Sequence, residues 1–211
     1  VIIGSVLLSF LVSTALAQEA ALPFQDVPSD AWYAPALEKL LLKGWIQSGE
    51  TFRGTDPANR AEFIKLLVDA SGGFLLEHPE ESSFDDIALD AWFRPYFEEA
   101  ALEGWVRGEG NCFGRNPCNA RPNDSITRAE AAALIVRTFG FETRGEAREF
   151  PDVNVNAWYA AEIEAAADNC VIAGDDATGN VRPADPVNRA EMAAMVVRAD
   201  AAERECPEAA N

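Results

Sequence analysis

One short pattern occurs three times along this chain, and it limits the fold more than any other feature. Phe24-Gln25-Asp26-Val27, Phe84-Asp85-Asp86-Ile87 and Phe150-Pro151-Asp152-Val153 open the three copies. Eight residues after each Phe stands an aromatic pair: Trp32-Tyr33, Trp92-Phe93 and Trp158-Tyr159. Each copy then reaches Asn59-Arg60-Ala61-Glu62, Thr127-Arg128-Ala129-Glu130 or Asn188-Arg189-Ala190-Glu191. The openings are 60 and then 66 residues apart. A unit of that size buries little surface by itself, so the copies must share a core.

Each copy reads as helix–loop–helix, which makes the expected fold all-α. The first helix follows the aromatic pair. It runs through Trp32, Leu37, Leu40 and Leu41 to Gly44, then through Trp92, Tyr96, Phe97 and Leu102 to Gly104. In the third copy it carries Ile163, Ala166 and Ala167, with Cys170 where the Gly should be. Apolar residues three and four apart give each helix a buried stripe. Pro35 and Pro95 fall in the first turn, where proline is tolerated. The second helix carries Phe63, Leu66 and Leu67; Leu134, Ile135 and Phe139; Met192, Met195 and Val196.

The start of the second helix follows from local chemistry. Asn59, Thr127 and Asn188 are good N-caps, and Glu62, Glu130 and Glu191 stand three residues on, the capping-box spacing. The residues between them are harder to place. Arg60, Arg128 and Arg189 put a cation at the positive end of the helix dipole. Either an ion pair holds each one, with Asp56, Asp124 or Asp185 as partner, or they form an anion site with the free N–H groups of the helix start. A second arginine also recurs, as Arg53, Arg121 and Arg182.

The pattern F-x-D-V, W-Y, G-W-I, F-R-P, T-R-A-E resembles the S-layer homology repeat. The T-R-A-E element stands intact at Thr127–Glu130 and twice as Asn-Arg-Ala-Glu. The resemblance implies three repeats in a pseudo-threefold arrangement around a central three-helix bundle built by the first helices. It implies inter-repeat grooves that bind an anionic cell-wall glycan, a secondary wall polymer that can be pyruvylated, or a peptidoglycan-linked glycan. Residue by residue, the contacts fall on Arg60, Arg128 and Arg189, with Arg53, Arg121 and Arg182 beside them. Trp32, Trp92 and Trp158 would flank the grooves, core packing being the other reading of these tryptophans. The repeats then span 24–83, 84–149 and 150–206, between an 18–23 segment and a 207–211 tail.

The remaining features bound the function. Residues 1–17 carry no charge and end in Ala15-Leu16-Ala17, the A-x-A pattern of an exported chain, so a secreted protein at the cell surface is expected. Export permits disulfides, and the simplest pairing joins Cys112 to Cys118, across an inserted loop, and Cys170 to Cys206. Zinc is not expected, because His78 is the lone histidine and no C-x-x-C occurs. The Asp-rich stretch Asp175–Asn180 lacks EF-hand spacing and reads as a turn. A net charge of −18 argues against a nucleic-acid partner. No catalytic residues, cofactor or metal are expected, since no nucleophile elbow, metal-ligand histidine pair or phosphate loop occurs. The competing role is a scaffold that self-associates or captures a surface-layer protein. The recurrent arginine argues for the glycan, because a scaffold would not need it.

Overall fold

The computed structural model describes residues 22–75, 82–110, 112, 118–143 and 149–202. The expected export segment at 1–17 and Cys206 fall outside them. Six helices follow in order: α1 (Ala34–Leu42), α2 (Arg60–Ser71), α3 (Arg94–Leu102), α4 (Arg128–Phe139), α5 (Ala160–Asp168) and α6 (Arg189–Ala201). A two-residue hairpin, β1 (Glu109–Gly110) with β2 (Cys118–Asn119), stands between α3 and α4. The fold is helical and threefold, as the repeat predicts. None of the helices among the described residues is long and apolar enough to cross a membrane.

The helix ends are set locally. Asn59, Thr127 and Asn188 each accept the N3 backbone N–H, and the N3 glutamate returns to the cap N–H, so three complete capping boxes form. Gly72 and Gly140 end α2 and α4 at φ 73° and 65°. Just beyond the first helices, Gly44 and Gly104 have φ 73° and 74°, and Cys170 takes the same left-handed turn at 58° without being glycine. The tryptophans stand in the turn before each first helix rather than in it, and Tyr33, Phe93 and Tyr159 are the N-caps.

The assignment of helices to the centre differs from expectation. The second helices α2, α4 and α6 pack on one another and form the central bundle. The first helices lie outside and make no contact among themselves. Each packs on the second helix of the preceding copy: α3 on α2, α5 on α4, and α1 on α6, which closes a ring. Within a copy, the two helices do not pack together. The stripes explain the arrangement. The second helices bury almost every apolar residue around their circumference, as at Phe63, Ile64, Leu66, Leu67 and Val68, whereas α1 keeps Leu42 exposed. A helix apolar on most sides belongs in the middle.

Ala58, Ile126 and Val187, one residue before each cap, are fully buried. Their backbones close a small ring of hydrogen bonds. The Ala58 N–H donates to the Val187 carbonyl (2.9 Å), Val187 to Ile126 (2.9 Å) and Ile126 to Ala58 (3.1 Å). The starts of the three central helices are thus tied together at the axis.

Candidate functional site

At each central helix start, the motif arginine reaches into the next copy. Arg60 Nε donates to the Ala120 carbonyl (2.9 Å) and its guanidinium pairs with Glu130 (3.4 Å). Arg128 Nε donates to the Val181 carbonyl (2.8 Å) and pairs with Glu191 (3.2 Å). Arg189 Nε donates to the Phe52 carbonyl (2.8 Å) and pairs with Glu62 (2.5 Å). The ion-pair reading therefore holds with a different acid. The partner is the capping-box glutamate of the following copy, not Asp56, Asp124 or Asp185. Those aspartates instead face the second arginine, at 3.8, 3.7 and 3.8 Å from Arg53, Arg121 and Arg182.

The helix-start N–H groups are not free either. Arg60, Arg128 and Arg189 donate their backbone N–H to the carbonyls of Asp124, Asp185 and Asp56. Ala61, Ala129 and Ala190 donate to those of Pro122, Pro183 and Gly54. With the N3 groups capped, the donors of the first turn are spent on the neighbouring copy, and the anion site with free N–H groups does not exist. The same ring accounts for the unfavourable place of the arginines at the helix dipole. Each cation sits beside a carboxylate, which offsets the dipole. A scaffold would need them after all.

Three aspartates not singled out in the sequence hold the second arginines. The two oxygens of Asp26 accept the N–H groups of Phe52 and Arg53 (2.7 and 2.6 Å). Asp86 does the same for Ala120 and Arg121 (2.8 and 2.7 Å), and Asp152 for Val181 and Arg182 (3.0 and 2.7 Å). Arg53, Arg121 and Arg182 sit at φ 58°, 52° and 58°, a region costly for a residue with a Cβ. Two charge-assisted bonds at each site offset that cost. The signal was visible, since the Asp recurs in every opening.

Trp32, Trp92 and Trp158 are 60, 59 and 61% exposed, so core packing is excluded for them. Each lies edge-on to the next aromatic, at 5.5, 5.3 and 5.4 Å between centroids. One groove, of about 240 Å³, brings several predicted residues together. Arg60 comes from copy one, Arg121 and Glu130 from copy two, and Trp158 from copy three. Two unpredicted cations, Arg107 and Arg137, complete the lining with Trp105. Arg137 is engaged by Glu162 (3.5 Å). Arg107 is exposed and, among the described residues, it is the Lys or Arg with no hydrogen bond or ion pair.

Burial lowers the Arg60 and Arg128 guanidinium pKa, against the pull of Glu130 and Glu191. Glu130 is lowered as well, but here burial opposes the shift. Burial pushes its carboxyl up, but the Thr127 N–H, Arg60, the Thr127 hydroxyl and Arg121 outweigh burial and hold it below the ordinary 4.5. Asp200 is also lowered. Burial opposes the shift there, and Lys39 and Lys43 on the ring-closing α1 side drive it. Both carboxylates take up protons more readily unfolded than folded, so stability falls as the pH falls. Urea midpoints should hold steady above the ordinary 4.5 of Glu130 and drop below it, and Glu130→Gln should flatten that drop. A midpoint that rises on acidification would contradict the pairing.

The Cys112–Cys118 disulfide is present, and Cys170 is disulfide-bonded as well, its expected partner Cys206 lying outside the described residues. Asp175 accepts from the Ala177 and Thr178 N–H groups and the Thr178 hydroxyl, a turn held by its own side chain. Among the described residues, no group of three or more His, Cys, Asp or Glu is placed to hold a metal ion.

Comparison with known proteins adds the following. Residues 23–64 and 149–193 match the family described as the S-layer homology domain. The middle copy lies outside these spans, and the structure repeats the same caps, clamps and helices there. The Surface-layer 125 kDa protein of Lysinibacillus sphaericus is 29% identical over 195 residues, 89% of this chain and 16% of its own length. An amylopullulanase of Thermoanaerobacterium thermosulfurigenes is 32% identical over 151 residues, 67% of this chain and 8% of the enzyme. Endo-1,4-beta-xylanase A of Thermoanaerobacterium saccharolyticum is 36% identical over 110 residues, 52% of this chain and 9% of the enzyme. The chain thus spans less than a fifth of the length of these relatives, and the enzymes share with it only their S-layer homology regions.

Proposed function

Because the chain belongs to the S-layer homology family, whose modules anchor proteins to the cell wall and so imply a place at the cell surface, we propose that it attaches non-covalently to an anionic wall glycan. The binding site is the groove of Arg60, Arg107, Arg121, Arg137 and Trp158. One observation carries this reading: in a chain of net charge −18, four guanidinium groups converge on one groove beside an exposed tryptophan. Guanidinium forks suit carboxylates, and an indole face suits the apolar face of a sugar ring. A secondary wall polymer bearing an acidic group such as a pyruvyl ketal fits that chemistry. The net charge repels such a polymer at long range, but salt screens this beyond about 8 Å at physiological strength. Recognition is therefore short-ranged, through arginine.

The test is co-sedimentation of residues 18–211 with sacculi of the producing bacterium, intact or stripped of secondary polymer. Trp158 and Arg107 are exposed and hold no structural bond, so Trp158→Ala and Arg107→Ala should keep the fold. Wild type should pellet with intact wall only, and each variant should bind about tenfold more weakly, the loss of one stacking or charge contact. Equal pelleting of wild type and both variants would remove this groove as the reader. Pelleting with stripped wall would make peptidoglycan the ligand. No pelleting at all would favour the scaffold that captures a protein.

A further inference from the structure

The three second arginines are not equivalent, and part of the difference lies in a hairpin that, among the described residues, only the middle copy has. Arg53 and Arg182 leave 61 and 53% of their side chains exposed, and each faces a single acid at 3.8 Å. Arg121 is 35% exposed and held by Glu109 (2.8 Å) and Glu130 (2.7 Å), with Asp124 at 3.7 Å. Both glutamates are added partners, since Glu62 and Glu191 pair with Arg189 and Arg128 rather than with Arg53 and Arg182, and Glu109 is the one that the hairpin supplies. It is the first residue of β1, paired with Asn119 of β2, and Cys112–Cys118 closes the hairpin behind it. The hairpin is fixed at its base as well. The Cys118 N–H donates to the Asp85 carboxylate (2.7 Å), and the Asp85 N–H to the Cys118 carbonyl (2.8 Å). At Gly108, φ is +69°, and a Cβ would meet both disulfide sulfurs at 2.7 and 2.8 Å, so the chain can pass there only as glycine.

The other copies offer no such acid. Counted from the end of the first helix, the place of Glu109 is taken by Gly49 in copy one and Asp175 in copy three. Asp175 is turned onto Thr178 (2.8 Å) and makes no ion pair with Arg182. Glu109, by contrast, is a carboxylate seated on a guanidinium that lines the groove, with 62% of its side chain in solvent.

We propose that Glu109 is a tethered competitor, which occupies Arg121 in place of the ligand's acidic group and is displaced when that ligand binds. This rests on the groove being the glycan site. With Glu109 seated, Arg107 is the uncommitted cation of the groove. With Glu109 displaced, Arg121 stays on Glu130 and offers the ligand the place that Glu109 held. The disulfide-closed hairpin sets how strongly Glu109 competes, so the middle copy's groove is tuned to ligands acidic enough to replace a carboxylate.

The test is a titration with secondary polymer released from the sacculi, followed by tryptophan fluorescence, since Trp105 and Trp158 line the groove. Glu109→Gln removes the charge of an exposed residue and should leave the thermal midpoint unchanged. It should bind the polymer about threefold to fivefold more tightly than wild type, the range of a partly exposed ion pair. Cys112→Ser with Cys118→Ser should tighten binding as well, and should add nothing once Glu109→Gln is present. Equal or weaker binding by Glu109→Gln, with wild type still binding, overturns the competitor and leaves the groove reading standing. Failure of both proteins to bind overturns both, because a released Arg121 would then attract no anion. Added tightening from the cysteine pair in the Glu109→Gln background would separate the hairpin from Glu109.

Discussion

Arg60→Ala is expected to lower the free energy of unfolding by about 2–4 kcal/mol, the cost of leaving a buried charge and carbonyl without their partner. Arg60 is 9% exposed, and its head group joins two copies through the Ala120 carbonyl and Glu130. Removing it leaves the partly buried Glu130 with one cation fewer. Arg60→Lys restores the charge but not the fork, so it should fall between the two. Chemical denaturation with an unchanged slope measures the difference. A loss below about 0.5 kcal/mol, the size of an ordinary surface change, would mean that the arginine ring does not hold the copies together. The same reasoning bears on wall-binding assays. A variant with Arg60, Arg128 and Arg189 all replaced would lose three such links, and its failure to bind would report unfolding. Arg107 and Trp158 are the informative positions for that purpose.

The second large effect lies at the axis. Phe63→Ala should cost about 3–5 kcal/mol, as fully buried aromatic truncations do, and lower Tm by roughly 10 °C in a chain of this size. Phe63 is 0% exposed and sits on α2, which packs on α4, α6 and α3. The equivalent positions hold Ala131 and Met192, so one large, one small and one intermediate side chain fill the three places. Close packing of the central helices leaves no cheap way to fill the space of a missing ring. Phe139→Ala, at a half-buried position, is the comparison and should cost clearly less. If both variants fall by the same small amount, the packing at the axis is looser than the burial indicates.

What the sequence made legible was local. The capping boxes at Asn59, Thr127 and Asn188 depend on residues three apart, and all three formed as read. Cys170 was noted only as standing where glycine should be, and it keeps the left-handed turn that glycine makes in the other two copies. The position of the inserted loop followed from the unequal spacing of the copies. What failed was long-range. The stripes of the first and second helices both read as core-facing, and the resemblance put the first helices at the centre although the second ones are apolar on more sides. The partner of Arg60 lies 70 residues away at Glu130, so the nearer Asp56, Asp124 and Asp185 looked sufficient. The tryptophans were ambiguous for another reason. An indole suits a core and a sugar equally well, and only the turn that carries it settles exposure. The Asp recurs in every opening, but the clamps at Asp26, Asp86 and Asp152 went unread because their donors are backbone N–H groups about thirty residues on, which no side-chain pattern marks.

The contact of α1 with α6 carries a consequence for how the chain comes into being. A ribosome delivers α1 first and its partner last. Leu37 and Leu40, fully covered in the finished protein, lie on α1, whose helix partner Arg189–Ala201 emerges after every other helix described. An open array of repeats can settle behind the growing end, unit by unit. This circle cannot, because its first piece waits for its final one. Until α6 arrives, the inner face of α1 lacks its helix partner and offers escorting proteins an apolar surface, and the ring is not locked shut.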